Sequence, residues 1–184
     1  GIEIDRPQVE QPATEDAEQE SAEDAERSEA EPAVAEPVAV EASAADIDTS
    51  LVPVGLQPDG AMELPDPGTG AWYDLGPRPG EPGPAVLIGH VDSVAGPDVF
   101  FGLSTLGDGD VVHIDDATGV RRAFVVTGVE TVRKDDLPYE RIWAEVEEPV
   151  LRLITCGGSY ERDNGGYQEN VVVYAVMQGE TPAG

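Results

Sequence analysis

The chain has 184 residues and carries 38 acidic side chains against 10 basic ones, a formal net charge of −28. With no basic patch to neutralise phosphate or meet an anionic lipid surface, composition argues against nucleic acid and membrane headgroups as partners. An amine-bearing or cationic substrate suits this field, and the length fits one domain once an evident tail is set apart.

The first 48 residues hold mostly Ala, Glu, Asp, Pro, Val and Gln, with no aromatic side chain. Such a segment cannot bury enough apolar surface to offset the entropy of ordering, so residues 1–48 are expected to be a disordered acidic spacer. Residues 14–31 have fair helix propensity but no apolar stripe, and Pro32 and Pro37 act as breakers. As a flexible chain the spacer spans roughly 40 Å. The opening Gly1-Ile2-Glu3-Ile4-Asp5 reads as an arbitrary start, and no apolar run is long enough for a membrane span. The chain is therefore expected to be an ectodomain separated from its anchor.

Residues 49–180 are expected to form the folded domain. Short extended pieces around Leu51-Val52-Pro53-Val54 and Met62-Glu63-Leu64-Pro65 flank the turn Pro58-Asp59-Gly60. After Trp72-Tyr73, residues 76–84 are a Gly/Pro-broken loop. A strand then runs through Ala85-Val86-Leu87-Ile88 to Gly89-His90. Val99-Phe100-Phe101 and Leu103 are expected in the core. Further strands are read at 111–114, 124–132, 151–156 and 170–177, with one helical turn within 139–146 and a polar loop over 159–168. Seven or eight short strands between Gly/Pro turns, with almost no helical periodicity, make the domain all-β, a barrel or a sandwich.

Chemistry concentrates where two apolar strands end. Cys156 is the only cysteine, so it has no internal disulfide partner. By itself a lone cysteine is most often a buried small hydrophobe. A histidine, His90, closing a second apolar strand changes that reading, because a thiol nucleophile needs a proton partner. Alternation puts Cys156 on the same strand face as Ile154 and Arg152, with Thr155 on the other. Arg152 sits about 13 Å back along the strand, at ~3.3 Å per residue. Arg162 is the only arginine after Cys156. It is the expected donor to a developing oxyanion, weighed against a solvated charge beside Glu161 and Asp163. Asp92 either orients His90 or caps a turn, and His113 belongs to a strand face. Two histidines and one cysteine in no ligand spacing make no zinc site, and the acidic pairs lack the calcium-loop pattern, so no metal or cofactor is expected.

Leu153-Ile154-Thr155-Cys156 resembles the Thr-Leu-x-Thr-Cys signature of sortases, with Arg152 standing where the family usually has its first Thr. Gly89-His90-Val91-Asp92 resembles the Gly-His motif of the same enzymes. Pro58-Asp59-Gly60, Met62-Glu63-Leu64-Pro65, Trp72-Tyr73, Val99-Phe100-Phe101, Cys156-Gly157-Gly158 and Asn170-Val171-Val172-Val173-Tyr174-Ala175 resemble blocks of a class F sortase of an actinobacterium. The resemblance covers about residues 51–178. It implies a closed eight-stranded β-barrel with short helical connections, and a catalytic set of His90, Cys156 and Arg162 with Thr155 in substrate binding. Such enzymes commonly place the arginine near the start of the last strand, where this chain has Gln168-Glu169-Asn170. The implied partners are an LPXTG-type sorting-signal peptide, cut between Thr and Gly through a thioacyl intermediate, and an amine acceptor such as a peptidoglycan precursor. The implied location is the outer face of the plasma membrane, and the protein is expected to be monomeric. Two alternatives are an L,D-transpeptidase, whose Ser-x-Gly-Cys-x-Arg run is replaced here by Ile-Thr-Cys-Gly-Gly, and a non-catalytic module that binds sorting-signal-like peptides.

Overall fold

The alternating run Pro37-Val38-Ala39-Val40-Glu41-Ala42 forms the first strand of the computed structural model, which describes residues 33–182. The barrel thus begins inside the segment that composition assigned to a spacer ending at 48. The reason is tertiary. Strand β1 (Pro37–Ala42) is inserted between β2 (Ile47–Val54) and β7 (Val111–Asp116), with Val40 opposite Thr49 on one side and Ile114 on the other. Its inward Val40 and Ala42 are buried while Val38 faces out. Pro37 is tolerated because it occupies the first strand position. The remainder of the expected spacer, residues 1–32, lies outside the described residues.

The other strands are β3 (Gly70–Tyr73), β4 (Gly83–Ile88), β8 (Arg121–Arg133), β9 (Pro149–Glu161) and β10 (Gly166–Thr181). Two-residue strands β5 (Asp92–Ser93) and β6 (Gly96–Pro97) pair only with each other. Eight strands close a barrel in the order β1-β2-β3-β4-β9-β10-β8-β7. Within it β2–β3 and β4–β9 are parallel and the remaining pairs antiparallel. The only α-helical turn among the described residues is α1 (Tyr139–Ile142), in the connection from β8 to β9.

Alternation sorts the strands' side chains into two cores. Leu87, Leu151, Leu153, Phe124 and Val173 fill the barrel with Phe100 and Leu103. Val86, Ile88, Ile154, Val172 and Tyr174, from the opposite faces of the same strands, pack outside the barrel against Leu137, Ile142 and Met62. All six residues of β4 are buried because both faces are covered, which is why β4 and β9 read as near-continuous apolar runs. Phe101, expected in the core beside Phe100, is instead 58% exposed. Its neighbour enters the barrel and successive side chains diverge.

The 134–148 connection that covers this outer core is pinned by Arg152. Its guanidinium donates to the backbone carbonyls of Arg141, Ile142 and Leu151 and stacks 4.8 Å from the Tyr174 ring centroid. Burial lowers the guanidinium's pKa from its usual value. The Tyr174 phenol donates to Glu130, and burial, aided by that carboxylate, pushes its pKa far up.

Candidate active site

Parallel pairing of β4 with β9 sets Ile88 opposite Ile154. The contact continues past the strand end, where Gly89 N–H donates to Ile154 O at 3.3 Å and Thr155 Oγ1 donates to Gly89 O at 2.7 Å. Two residues beyond the Ile88–Ile154 pair on each strand come His90 and Cys156. Alternation along β9 puts Cys156 on the outer face with Ile154, and His90 follows the last residue of β4 by two. The two half-buried side chains line one cleft of about 40 Å³, together with Leu64, Pro65, Ile88, Gly89, Ile154, Thr155 and Asn170. A thiol and an imidazole distant in sequence therefore share one site because β4 ends beside the stretch of β9 that carries Cys156.

Three contacts fix His90. Besides the Gly89 bond, its carbonyl accepts from Phe100 N–H at 3.0 Å, and its Nε2 lies 2.7 Å from the Pro65 carbonyl. A carbonyl oxygen only accepts, so Nε2 carries the hydrogen and Nδ1 is left as the ring atom that exchanges a proton. The tight return of the chain needs glycine at 89. A Cβ there would stand 2.9 Å from Phe100 Cγ and 3.0 Å from Val99 Cγ2.

The Gly-Gly pair after Cys156 bends β9 without ending it. Gly158 has φ +74°, and a Cβ on it would meet the Glu169 carboxylate at 1.7 Å. A register shift between Tyr167 and Glu169 accommodates the bend. The polar loop expected over 159–168 is thus mostly a two-stranded arm, with Glu161 opposite Gly166 and Tyr160 opposite Tyr167. Tyr167 donates its phenol to Asp92, tying this arm to the β5–β6 hairpin that follows His90. The Asp92 hydrogen bond, then burial, raises the phenol's pKa, with the Cys156 side chain among the lesser contributors. Asp92 therefore neither orients His90 nor caps a turn: its carboxylate accepts from the tyrosine across the site.

Arg162 stands at the turn of this arm, exposed, separated from Cys156 by five residues of β9, roughly 20 Å of extended chain. It does not line the cleft, nor does any other arginine among the described residues. Gln168 is not a substitute, because its Nε2 donates to the carbonyls of Asn164 and Gly166. Thr155 does line the cleft, but its hydroxyl hydrogen is committed to Gly89, so its visible work is holding β4 to β9. Asn170, to which the sequence reading gives no role in the site, also lines the cleft. It pairs directly with Cys156 across β9–β10 and is only 4% exposed. Its signal was a polar residue opening an otherwise apolar strand, but its register depended on the arm's bend.

A larger apolar groove of about 910 Å³ opens at Gly83 and Pro84, the end of β4 remote from His90. Leu56, Tyr73 and Trp143 line it, together with Glu140, Glu145 and Glu147. No cluster of potential metal ligands occurs among the described residues.

A family model described as a sortase domain matches residues 40–178. The fold is shared with sortase A of Listeria monocytogenes, at TM-score 0.60 and 15% identity over 80% of this chain and 90% of that one. It is also shared with the SrtA sortase of Actinomyces oris, at TM-score 0.61 and 19% identity over 82% and 84% of the two chains. Sortase C of Streptococcus pneumoniae aligns at TM-score 0.58 and 16% identity over 79% and 68%. No curated protein sequence matches the chain.

Proposed function

This chain belongs to the sortase family of cysteine transpeptidases, and from that premise we propose that Cys156 is its nucleophile and His90 its proton-transfer partner. The carrying observation is their meeting in one cleft, where β4 ends against β9. In the proposed reaction the Cys156 sulfur attacks the threonine carbonyl of an LPXTG-type signal. The carbonyl π pair moves to oxygen, then returns as the C–N bond breaks. The departing glycine amine takes a proton from His90 Nδ1. The thioester is next attacked by an amine of a cell-wall peptide, which gives its proton back to His90 as the thiolate leaves.

Apolar walls from Leu64, Pro65, Ile88 and Ile154 suit the leucine and proline of such a signal. The acidic surface suits an amine acceptor. We assign the chain to class F of actinobacterial type, a reading supported by the motif blocks. The family works at the cell surface, and we place this domain outside the membrane, with residues 1–32 as spacer. No helix among the described residues is long and apolar enough to cross a membrane.

The test is mass spectrometry of the protein mixed with an LPXTG peptide. A thioacyl adduct on Cys156 is expected, with none in Cys156→Ala. His90→Ala should slow cleavage by roughly 100- to 10,000-fold, the usual worth of a positioned acid–base, with the unfolding temperature unchanged. Cleavage by Cys156→Ala, or undiminished cleavage by His90→Ala, rejects the assignment. The absence of any described arginine from the cleft favours one second reading, a module that binds the signal without cutting it. That reading requires peptide binding with no adduct.

A further inference from the structure

Acyl transfer to a thiol places negative charge on the substrate oxygen, and the described arginines leave that charge without a partner in the cleft. Asn170 occupies the place a donor needs. It stands directly opposite Cys156 in the β9–β10 ladder, on the same outer face. Opposed side chains there have Cβ atoms about 5 Å apart and meet the same bound group. The residue is 4% exposed and lines the cleft. Its carboxamide has no hydrogen-bond partner within the described residues, while no fully covered side-chain polar atom lacks one. The carboxamide therefore reaches the cleft surface, where a bound group is its available partner. A nearly buried amide left unpaired is unfavourable, a penalty that a ligand oxygen would remove.

We propose that Asn170 is a further catalytic residue, whose Nδ2–H donates to the scissile carbonyl oxygen as that oxygen becomes the oxyanion of the Cys156 adduct. This rests on the transpeptidase reading. No bond to Asn170 forms or breaks. The hydrogen bond strengthens as the sulfur–carbon bond forms, weakens as the adduct collapses to the thioester and expels the glycine amine, and strengthens again when the acceptor amine attacks. A neutral donor that is already desolvated reorganises little on meeting that charge, which is how such donors lower barriers. The exposed Arg162 has no equivalent preorganisation.

The experiment compares two reactions of the same thiol in the full chain. Cleavage of an LPXTG peptide passes through an oxyanion, whereas alkylation by iodoacetamide at saturated carbon does not. Asn170→Ala and the nearly isosteric Asn170→Leu should each lower kcat for cleavage by roughly 100- to 1000-fold. Both should leave the alkylation rate within about twofold and the unfolding temperature unchanged. Asn170→Ser, which keeps a shorter donor, should fall between them and wild type. Cleavage by both apolar variants within threefold of wild type would overturn the proposal. So would a parallel fall in cleavage and alkylation, which would make Asn170 a packing residue. A wild-type protein that alkylates but cleaves no peptide would overturn the transpeptidase reading and the Asn170 role with it, a pattern distinct from either variant result.

Discussion

At the scale of single residues, the site depends on a few backbone contacts more than on charge. His90 is held by the Pro65 carbonyl, the Phe100 N–H and the Gly89–Ile154 bond, and none of the three involves an ionised group. Arg162, exposed and outside the cleft, is expected to contribute little. Arg162→Ala should keep peptide cleavage within about twofold of wild type, in line with the small worth of exposed charges. Steady-state cleavage assays beside Cys156→Ala check this, and a hundredfold loss would bring the arm's turn into the chemistry. Arg152 is the contrasting arginine. Truncating it to Ala leaves the Arg141 and Ile142 carbonyls without their donor and removes stacking on Tyr174. The expected cost is about 1–3 kcal/mol, read from denaturant unfolding, with the 134–148 connection loosened first.

At the scale of elements, β1 and the β9–β10 arm decide what the barrel can do. β1 closes the sheet between β2 and β7, so its loss leaves two open edges and uncovers the interior. Deleting residues 1–32 should leave the unfolding temperature and cleavage unchanged. Deleting residues 1–48, the boundary that composition suggested, should abolish cooperative unfolding. Circular dichroism melts of the two truncations separate these outcomes, and equal melts would mean that β1 is dispensable. The arm depends on Gly158, where positive φ coincides with the Glu169 side chain at the Cβ position. Gly158→Val should cost about 1–3 kcal/mol of local strain. It should also slow cleavage, because Glu169 precedes Asn170 on the strand facing Cys156. Glu169→Ala in the same chain removes the side-chain clash but not the strained φ, so rescue should be partial.

At the scale of the whole molecule, one buried cluster where β7 turns into β8 links stability to pH. Asp116 accepts from Thr118 Oγ1, the N–H groups of Thr118 and Val120, and Arg122 Nη1 at 2.8 Å, while Arg122 also bridges to Glu180 near the end of β10. Burial by itself would raise the carboxyl's pKa. The Thr118, Arg122 and backbone donors outweigh it and hold the pKa at about 2, below the ordinary 3.8. The native state therefore binds this proton less readily than the unfolded chain. The resulting stabilisation, on the order of 2 kcal/mol, is fully present above about pH 4 and is lost as pH falls toward 2. Asp116→Asn should be less stable at neutral pH and show a flatter stability profile between pH 4 and pH 2. Urea unfolding at both pH values measures it, and an unchanged slope would reject the linkage. The net charge of −28 acts in the same window, because protonating the acids relieves self-repulsion and partly offsets the loss.

The sequence by itself determined the all-β class, the two apolar strand runs that lead to His90 and Cys156, and the bend after Cys156. Each is a local property: continuous apolar runs on strands covered on both faces, a polar residue where each run stops, and glycines where no side chain fits. It did not determine where the domain begins, because Pro37–Ala42 is poor in large apolar residues and is held by its pairing with β2 and β7. Nor did it determine which polar side chains line the cleft. Arg162 drew the expectation because charge is visible in a sequence, whereas Asn170 becomes conspicuous only when the antiparallel register sets it against Cys156. That register depends on the bulge near Gln168 and on the room that Gly158 leaves for Glu169. Pairing across strands is a long-range choice made by packing, and the tertiary structure alone carries it.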